Sequence, residues 1–128
     1  MSTQRGAVAE SMFCTWALRT DYDVCFPARG TSPSYDVVLL RDSTFTRVQV
    51  KRAHPRGRNP NELRVSLTDR AGHKYKYGTV DAFAVVDVDG QRIWLFPVEL
   101  FNGKSLGLSG GKHDHWMVYD GNVAKDAV

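Results

Sequence analysis

Tyr35-Asp36-Val37-Val38-Leu39-Leu40-Arg41, followed by Phe45-Thr46-Arg47-Val48-Gln49-Val50-Lys51-Arg52, is the stretch on which the fold turns. Both runs are rich in apolar and β-branched residues, and the short gap at 41–44 is hairpin spacing. Strand side chains alternate between faces, so Gln49 and Lys51 point one way while Val48 and Val50 point the other. Asp36 then stands on the strand beside the one that carries Gln49 and Lys51. An acid, an amide oxygen and an ammonium converging at the end of a two-stranded ribbon can hold a divalent cation and the water it activates. Metal-dependent phosphodiester hydrolysis is the chemistry this pattern points to first.

Upstream, residues 6 to about 19 read as a helix, with good helix formers at Ala7, Ala9, Glu10, Met12, Ala17 and Leu18 and no internal proline. At about 100° per residue, Ser11, Thr15 and Arg19 form a narrow polar strip, and Val8, Met12, Phe13, Trp16, Ala17 and Leu18 cover most of the rest. Glu10 falls roughly opposite that strip, on the side that faces protein, where a carboxylate needs a cation or a donor. A metal-site role is the reading adopted, with a salt bridge to a core-edge arginine as the alternative. Downstream, residues 23–28 and 63–67 read as strands, and 81–88 with 91–96 form a hairpin around Asp89-Gly90. Residues 97–101 read as a helical turn. Residues 54–61 carry two prolines and a glycine and read as a basic loop, 103–111 are glycine-rich, and 121–128 are expected to be a tail. The expected architecture is α+β: a central mixed β-sheet flanked by an N-terminal helix, in a single compact domain over residues 1–120.

A chain of 128 residues, 42% hydrophobic and 24% charged, suits one soluble domain with one core. No apolar run approaches a membrane span, and the N-terminus lacks the basic-then-apolar layout of a signal peptide, so no membrane partner and a cytoplasmic location are expected. Cys14 and Cys25 are the only cysteines and read as buried reduced thiols. The net charge of +3 hides an asymmetry: residues 47–76 hold nine Lys/Arg against Glu62 and Asp69, a local +7 that leaves −4 elsewhere. A basic zone beside a cation site suits a polyanion, and nucleic acid is the expected partner.

Taken in order, Arg5-Gly6-x-x-Ala9-Glu10 opening a helix, Arg29-x-x-Ser32, Tyr35-Asp36-Val37-Val38 and Gln49-Val50-Lys51 resemble the PD-(D/E)XK nuclease superfamily. Within it the pattern is most similar to archaeal-type Holliday-junction resolvases, and next to related homing endonucleases, over roughly residues 5 to 96. The resemblance implies a restriction-endonuclease-like fold, in a prokaryotic cytoplasm or in that of a phage-infected host. It implies Asp36 as principal Mg²⁺ ligand (Mn²⁺ substituting), with Glu10, the Gln49 side chain and the Val50 carbonyl completing the metal set. Lys51 would position the attacking water, Ser32 would lie near the scissile phosphate, and Arg5 would touch DNA backbone. Arg29, Arg52, Arg56, Arg58 and Arg64 are the further DNA-binding candidates. Products would carry a 5′-phosphate and a 3′-hydroxyl. Gln49 departs from the usual Asp or Glu, which removes one negative charge and weakens metal binding. The motif's proline does not directly precede Asp36; Tyr35 does.

Other signals read more simply. His113-Asp114-His115 is a polar surface loop rather than a zinc site. Leu106-Gly107-Leu108-Ser109-Gly110-Gly111-Lys112 lacks the first glycine and the Ser/Thr of a phosphate loop. Phe83, Trp94, Phe96 and Trp116 are core or dimer contacts, Asp81 is a strand cap, and Asp87 and Asp89 flank a turn. The expected function is a Mg²⁺-dependent, structure-selective DNA endonuclease acting on four-way junctions, because so short a chain leaves little for reading base edges in a groove. Two symmetric cuts call for a C2 homodimer, with the 83–96 hairpin as its interface, and no small-molecule cofactor. The alternatives are a homing or restriction-type endonuclease cutting one duplex sequence, and a non-catalytic DNA-binding module on the same fold.

Overall fold

Ala9, Phe13 and Ala17 recur one turn apart, and that stripe is what seats the helix α1 (Ser2–Arg19) against the rest of the chain. In the computed structural model residues 2–122 are described, apart from positions 29, 30, 32, 70, 77, 102 and 110 and the side chains of 2–5, 60 and 61. The helix begins about four residues before the expected position 6 and stops where predicted. Asp21 adopts φ +68° just past its end, which lets the Tyr22 N–H reach back to the Ala17 carbonyl at 3.0 Å and satisfy one of the helix's last acceptors. Ser11, Thr15 and Arg19 are exposed as the polar strip requires, but so are Val8 and Leu18, which no element covers.

The remaining elements are β1 (Asp23–Cys25), β2 (Val37–Arg41), β3 (Thr44–Arg52), β4 (His54–Arg56), β5 (Asn59–Ser66), β6 (Ala82–Asp87), β7 (Arg92–Pro97), β8 (Ser105–Leu108) and β9 (Met117–Asp120). Short 3₁₀ turns occupy Val98–Leu100 and Asp114–Trp116. Among the described residues the strands form two sheets, one of six in the order β1-β2-β3-β6-β7-β9 and one of three in the order β4-β5-β8. The large sheet is antiparallel except at its centre, where β3 and β6 run parallel with Val50 opposite Ala84. Parallel neighbours need a long crossover, and residues 53–81 supply it while themselves building two strands of the small sheet.

Three layers result. On one face of the large sheet, Ala9, Phe13 and Ala17 pack with Val37, Leu39, Val48, Val50, Ala84 and Ile93. On the other, Phe83, Val85, Trp94 and Phe96 pack against Leu63, Val65 and Leu108 of the small sheet. β6 is buried along its whole length, as expected of a strand covered on both faces. Among the described residues no helix is long and apolar enough to cross a membrane.

Two tight turns fix the hairpins. Asp42 (φ +51°) and Ser43 (φ +66°) both take left-handed conformations between the paired residues Arg41 and Thr44, the two-residue turn that matches strand twist. At the β6–β7 turn the Asp87 carboxylate accepts from the Gly90 N–H at 3.1 Å and from the Arg92 guanidinium at 2.8 and 3.0 Å. A Cβ at Gly90 would stand 2.1 Å from that carboxylate, so the turn requires glycine. Asp87 is therefore a buried, paired acid rather than a bystander at a turn.

Several expectations need correcting. The 54–61 stretch is a hairpin, not a loop: Arg56 pairs with Asn59 across Gly57 (φ +71°). Pro55 is tolerated because β4 is an edge strand, where a missing N–H goes unnoticed by the ladder. The glycine-rich 103–111 segment contains β8, and 117–120 forms the edge strand β9. The first strand is shorter than 23–28. Cys14 is half-buried and Cys25 exposed, so the two thiols are not both interior. The 83–96 hairpin lies inside the large sheet with Phe83, Trp94 and Phe96 covered, so its aromatics are core and are not available to a dimer partner. Of the expected tail, 123–128 lies outside the described residues.

Phe96 is 0% exposed and Phe45 is 64% exposed. Phe96→Ala is expected to lower unfolding free energy by about 3–5 kcal/mol and Phe45→Ala by less than about 0.5 kcal/mol, read by urea denaturation. Equal losses would overturn this order of layers.

Candidate active site

Asp36 sits one residue before β2, where the ladder with β3 gives out. Its own N–H donates to the Val48 carbonyl at 2.9 Å, and its Oδ2 accepts from the Val50 N–H at 2.9 Å. The Arg47 carbonyl and the Ala53 N–H both bond toward β6, to Asp81 and Val86, so even-numbered residues of β3 turn their backbone polar groups toward β2. Val50 therefore aims N–H and carbonyl at an edge that β2 no longer covers, and Asp36 takes the N–H.

The side chains follow the expected alternation. Val48 and Val50 lie in the helix-side core, whereas Gln49 and Lys51 stand opposite Phe83 and Val85 on the other face. Gln49 is half-buried there. Glu10 comes from α1, half-buried one turn after Gly6. Burial pushes its carboxyl above the usual range, and the nearby Asp36 charge pushes it further. Burial also raises Asp36, against the Val50 N–H and the Lys51 charge, which both favour the anion. Cys14, the next turn of the helix, feels the same pair: burial, then Glu10, then Asp36 lift its thiol to about 11. Two carboxyls that repel each other in a partly dry corner mark a place that gains from a cation.

The Lys51 side chain feels the Asp36 charge and ends in a small cage. Its Nζ donates to the Thr68 carbonyl at 2.5 Å and stands 4.9 Å from the centre of the Tyr75 ring. Burial lowers the lysine's pKa, opposed by attraction to Asp36 and Asp69. Thr68, Asp69 and Tyr75 went unnoticed in the sequence. Asp69 and Gly72 carried a turn signal, but nothing marked Tyr75 as a neighbour of Lys51.

Glu10, Asp36, Val50 and Lys51 are thus brought to one strand end, with Gln49 between Asp36 and Val50 in sequence. Ser32 and Arg29 lie outside the described residues, as does the Arg5 side chain. Arg56, Arg58 and Arg64 are exposed on the small sheet and its turn, and Arg52 is half-buried at the end of β3. Asp81 is more than a cap: it accepts a two-pronged guanidinium bond and a backbone N–H from Arg47, which holds its carboxyl below the usual range. His113 packs edge-on to Phe96 at 5.9 Å, a core-edge role.

Among the described residues no group of three or more His, Cys, Asp or Glu could hold a metal ion. Two carboxylates with amide and carbonyl oxygens nevertheless fit Mg²⁺, which is a hard ion, keeps several waters and commonly takes only one or two protein carboxylates. The donor set fits a hard cation and suits zinc poorly.

A profile described as PD-(D/E)XK endonuclease matches residues 1–114. The chain belongs to this family. PD-(D/E)XK nucleases generally use divalent metals such as Mg²⁺. Among curated proteins no sequence matches. Among solved structures, the bacterial homing endonuclease I-Ssp6803I is similar over 100% of this chain and 99% of its own, with TM-score 0.76 and 18% identity. That likeness is one of fold, the restriction-endonuclease-like α+β arrangement, and it embraces both sheets.

The raised carboxyls set a pH dependence. Acids that hold protons more tightly when folded stabilise the protein below the ordinary carboxylate range, and that contribution is lost as pH rises through their folded values. Asp36→Asn in EDTA is therefore expected to be more stable than wild type, by a margin that grows between about pH 4 and pH 8. Urea titrations of both proteins check this; a margin that shrinks with pH would show that the pair is already relieved.

Proposed function

We propose that the chain is a divalent-metal-dependent DNA endonuclease working through Glu10, Asp36, Gln49, Val50 and Lys51. The observation that carries this reading is the Asp36 carboxylate held by the Val50 N–H at an uncovered strand edge, near enough to raise the Glu10 carboxyl of α1 and to attract the Lys51 ammonium. Glu10, Asp36, the Gln49 amide oxygen and the Val50 carbonyl would hold Mg²⁺ or Mn²⁺. The cation, when bound, supplies a more acidic water and neutralises charge at the phosphate. Asp36 accepts the Val50 N–H at Oδ2, which fixes its orientation and would leave its other oxygen for the metal. Lys51 has given one N–H to Thr68 and keeps two for the attacking water and a phosphate oxygen. Hydrolysis breaks the bond from phosphorus to the 3′ oxygen, leaving a 5′-phosphate and a 3′-hydroxyl, as in the family.

For the substrate we favour duplex DNA cut at a defined sequence. The expectation of four-way-junction selectivity rested on the nearer resemblance to resolvases and on so short a chain leaving little for a groove-reading element, and the small sheet supplies a candidate for such an element. Its outer side presents Arg64 beside His54, with Arg56 and Arg58 at the hairpin tip, all exposed. A two-stranded ribbon with basic side chains fits the major groove. The fold it shares with a homing endonuclease supports the same choice. Cutting both strands would call for two copies of the chain, joined elsewhere than at the 83–96 hairpin.

The test is cleavage of a randomised duplex library and of an immobile four-way junction with Mg²⁺. One recurrent duplex site is expected, with Asp36→Asn and Lys51→Ala each slowing the reaction about 10³-fold or more. Paired symmetric cuts confined to the junction would make it a resolvase, and tight binding with no cutting under any metal would make it a DNA-binding module. Arg56→Ala and Arg64→Ala are each expected to weaken DNA affinity and to lower the slope of log affinity against log salt by about one, measured by fluorescence anisotropy.

A further inference from the structure

The turn that follows β5 is built more firmly than a connection needs. Leu67 is buried, and its N–H bonds to the Lys104 carbonyl at 2.8 Å, next to β8. Thr68 bridges to Lys74, and its hydroxyl pairs with that of Ser66 at 2.9 Å. The Asp69 carboxylate accepts from the backbone N–H groups of Ala71 and His73 at 2.9 and 3.0 Å, and the Asp69 N–H closes the turn on the His73 carbonyl. The chain leaving this turn places Tyr75, half-buried, with its ring 5.6 Å from that of Phe83. Phe83 is the register partner of Gln49 on the neighbouring strand. The ring is thereby wedged between the strand beside β3 and the Lys51 ammonium.

We infer that Tyr75 is a positioning residue for Lys51: its ring face, together with the Thr68 carbonyl, fixes where the ammonium stands. A lysine side chain has four rotatable bonds and, untethered, spends much of its time away from any one spot. A carbonyl restrains one N–H direction, and a ring face restrains the side on which the charge rests, while both leave N–H bonds for water and phosphate. The phenol stays neutral across the working pH range, since burial and then the Asp36 and Asp69 charges lift it to about 12. The ring face is therefore the feature that matters, and the hydroxyl is dispensable. A small displacement of a catalytic group is enough to cost an order of magnitude in rate.

This rests on the reading of Lys51 as catalytic, and the experiment separates the two. Tyr75→Leu and Tyr75→Phe are compared with wild type and Lys51→Ala in single-turnover cleavage, with DNA affinity measured in parallel. Tyr75→Leu is expected to slow cleavage about tenfold at unchanged affinity, and Tyr75→Phe to restore it. In NMR of DNA-free protein, the Lys51 ε-protons should be shifted by the ring in wild type and Tyr75→Phe and lose that shift in Tyr75→Leu. Retention of the remaining dispersed resonances shows that the variant is folded. Cleavage by Tyr75→Leu at the wild-type rate, while Lys51→Ala is inactive, would overturn the positioning role alone. Full activity of Lys51→Ala would overturn the reading beneath it.

Discussion

Everything distinctive about this molecule is arranged around the hydrogen bond from the Val50 N–H to the Asp36 carboxylate. A β-strand whose neighbour stops short leaves backbone donors with nothing to bond, and an interior donor left so costs free energy. Here the neighbour's last act is to hand over a side-chain oxygen in place of the next backbone carbonyl. The acid is oriented by that bond, the strand end is satisfied by it, and the adjoining carbonyl is left at the same edge. On the proposed function, structural need and chemical use coincide in one contact, and the acid cannot be exchanged for an apolar residue without also orphaning the strand.

The second ordering principle is burial on both faces of the central strands. β6 is covered by α1 on one side and by the small sheet on the other, and its Ala-Phe-Ala-Val-Val core reflects it. Ala82 and Ala84 face the helix, and Phe83 faces the small sheet. That double cover is why the aromatic hairpin, which reads in sequence as a sticky surface, has no surface to offer.

The fold's helix, its central hairpins and the strand-end site were legible because each rests on a short-range rule. Alternation placed Gln49 and Lys51 together, a seven-residue run marked β2, and helical spacing turned Glu10 inward. Of the small sheet, the 63–67 run was legible but the hairpin leading into it was not, because Pro55, Gly57 and Pro60 signal a loop and only the edge position of β4 reconciles proline with a strand. β8 and β9 were hidden for a different reason: each is four residues long, and their pairing partners are distant in sequence. The companions of Lys51 were hidden for the same reason, since contacts across 17 and 24 residues leave no periodic trace.

The crossover between β3 and β6 does two things with one length of chain. Its first half forms the basic ribbon of the small sheet, and its second half carries Thr68, Asp69 and Tyr75 to the lysine. On the proposed function, recognition and reactivity are thus written on consecutive residues. A lineage or a designer that swaps this segment to reach a new DNA target inherits a changed lysine cage along with it. New specificities in such a scaffold are expected to arrive with blunted turnover, and to regain speed only through later adjustment of the cage.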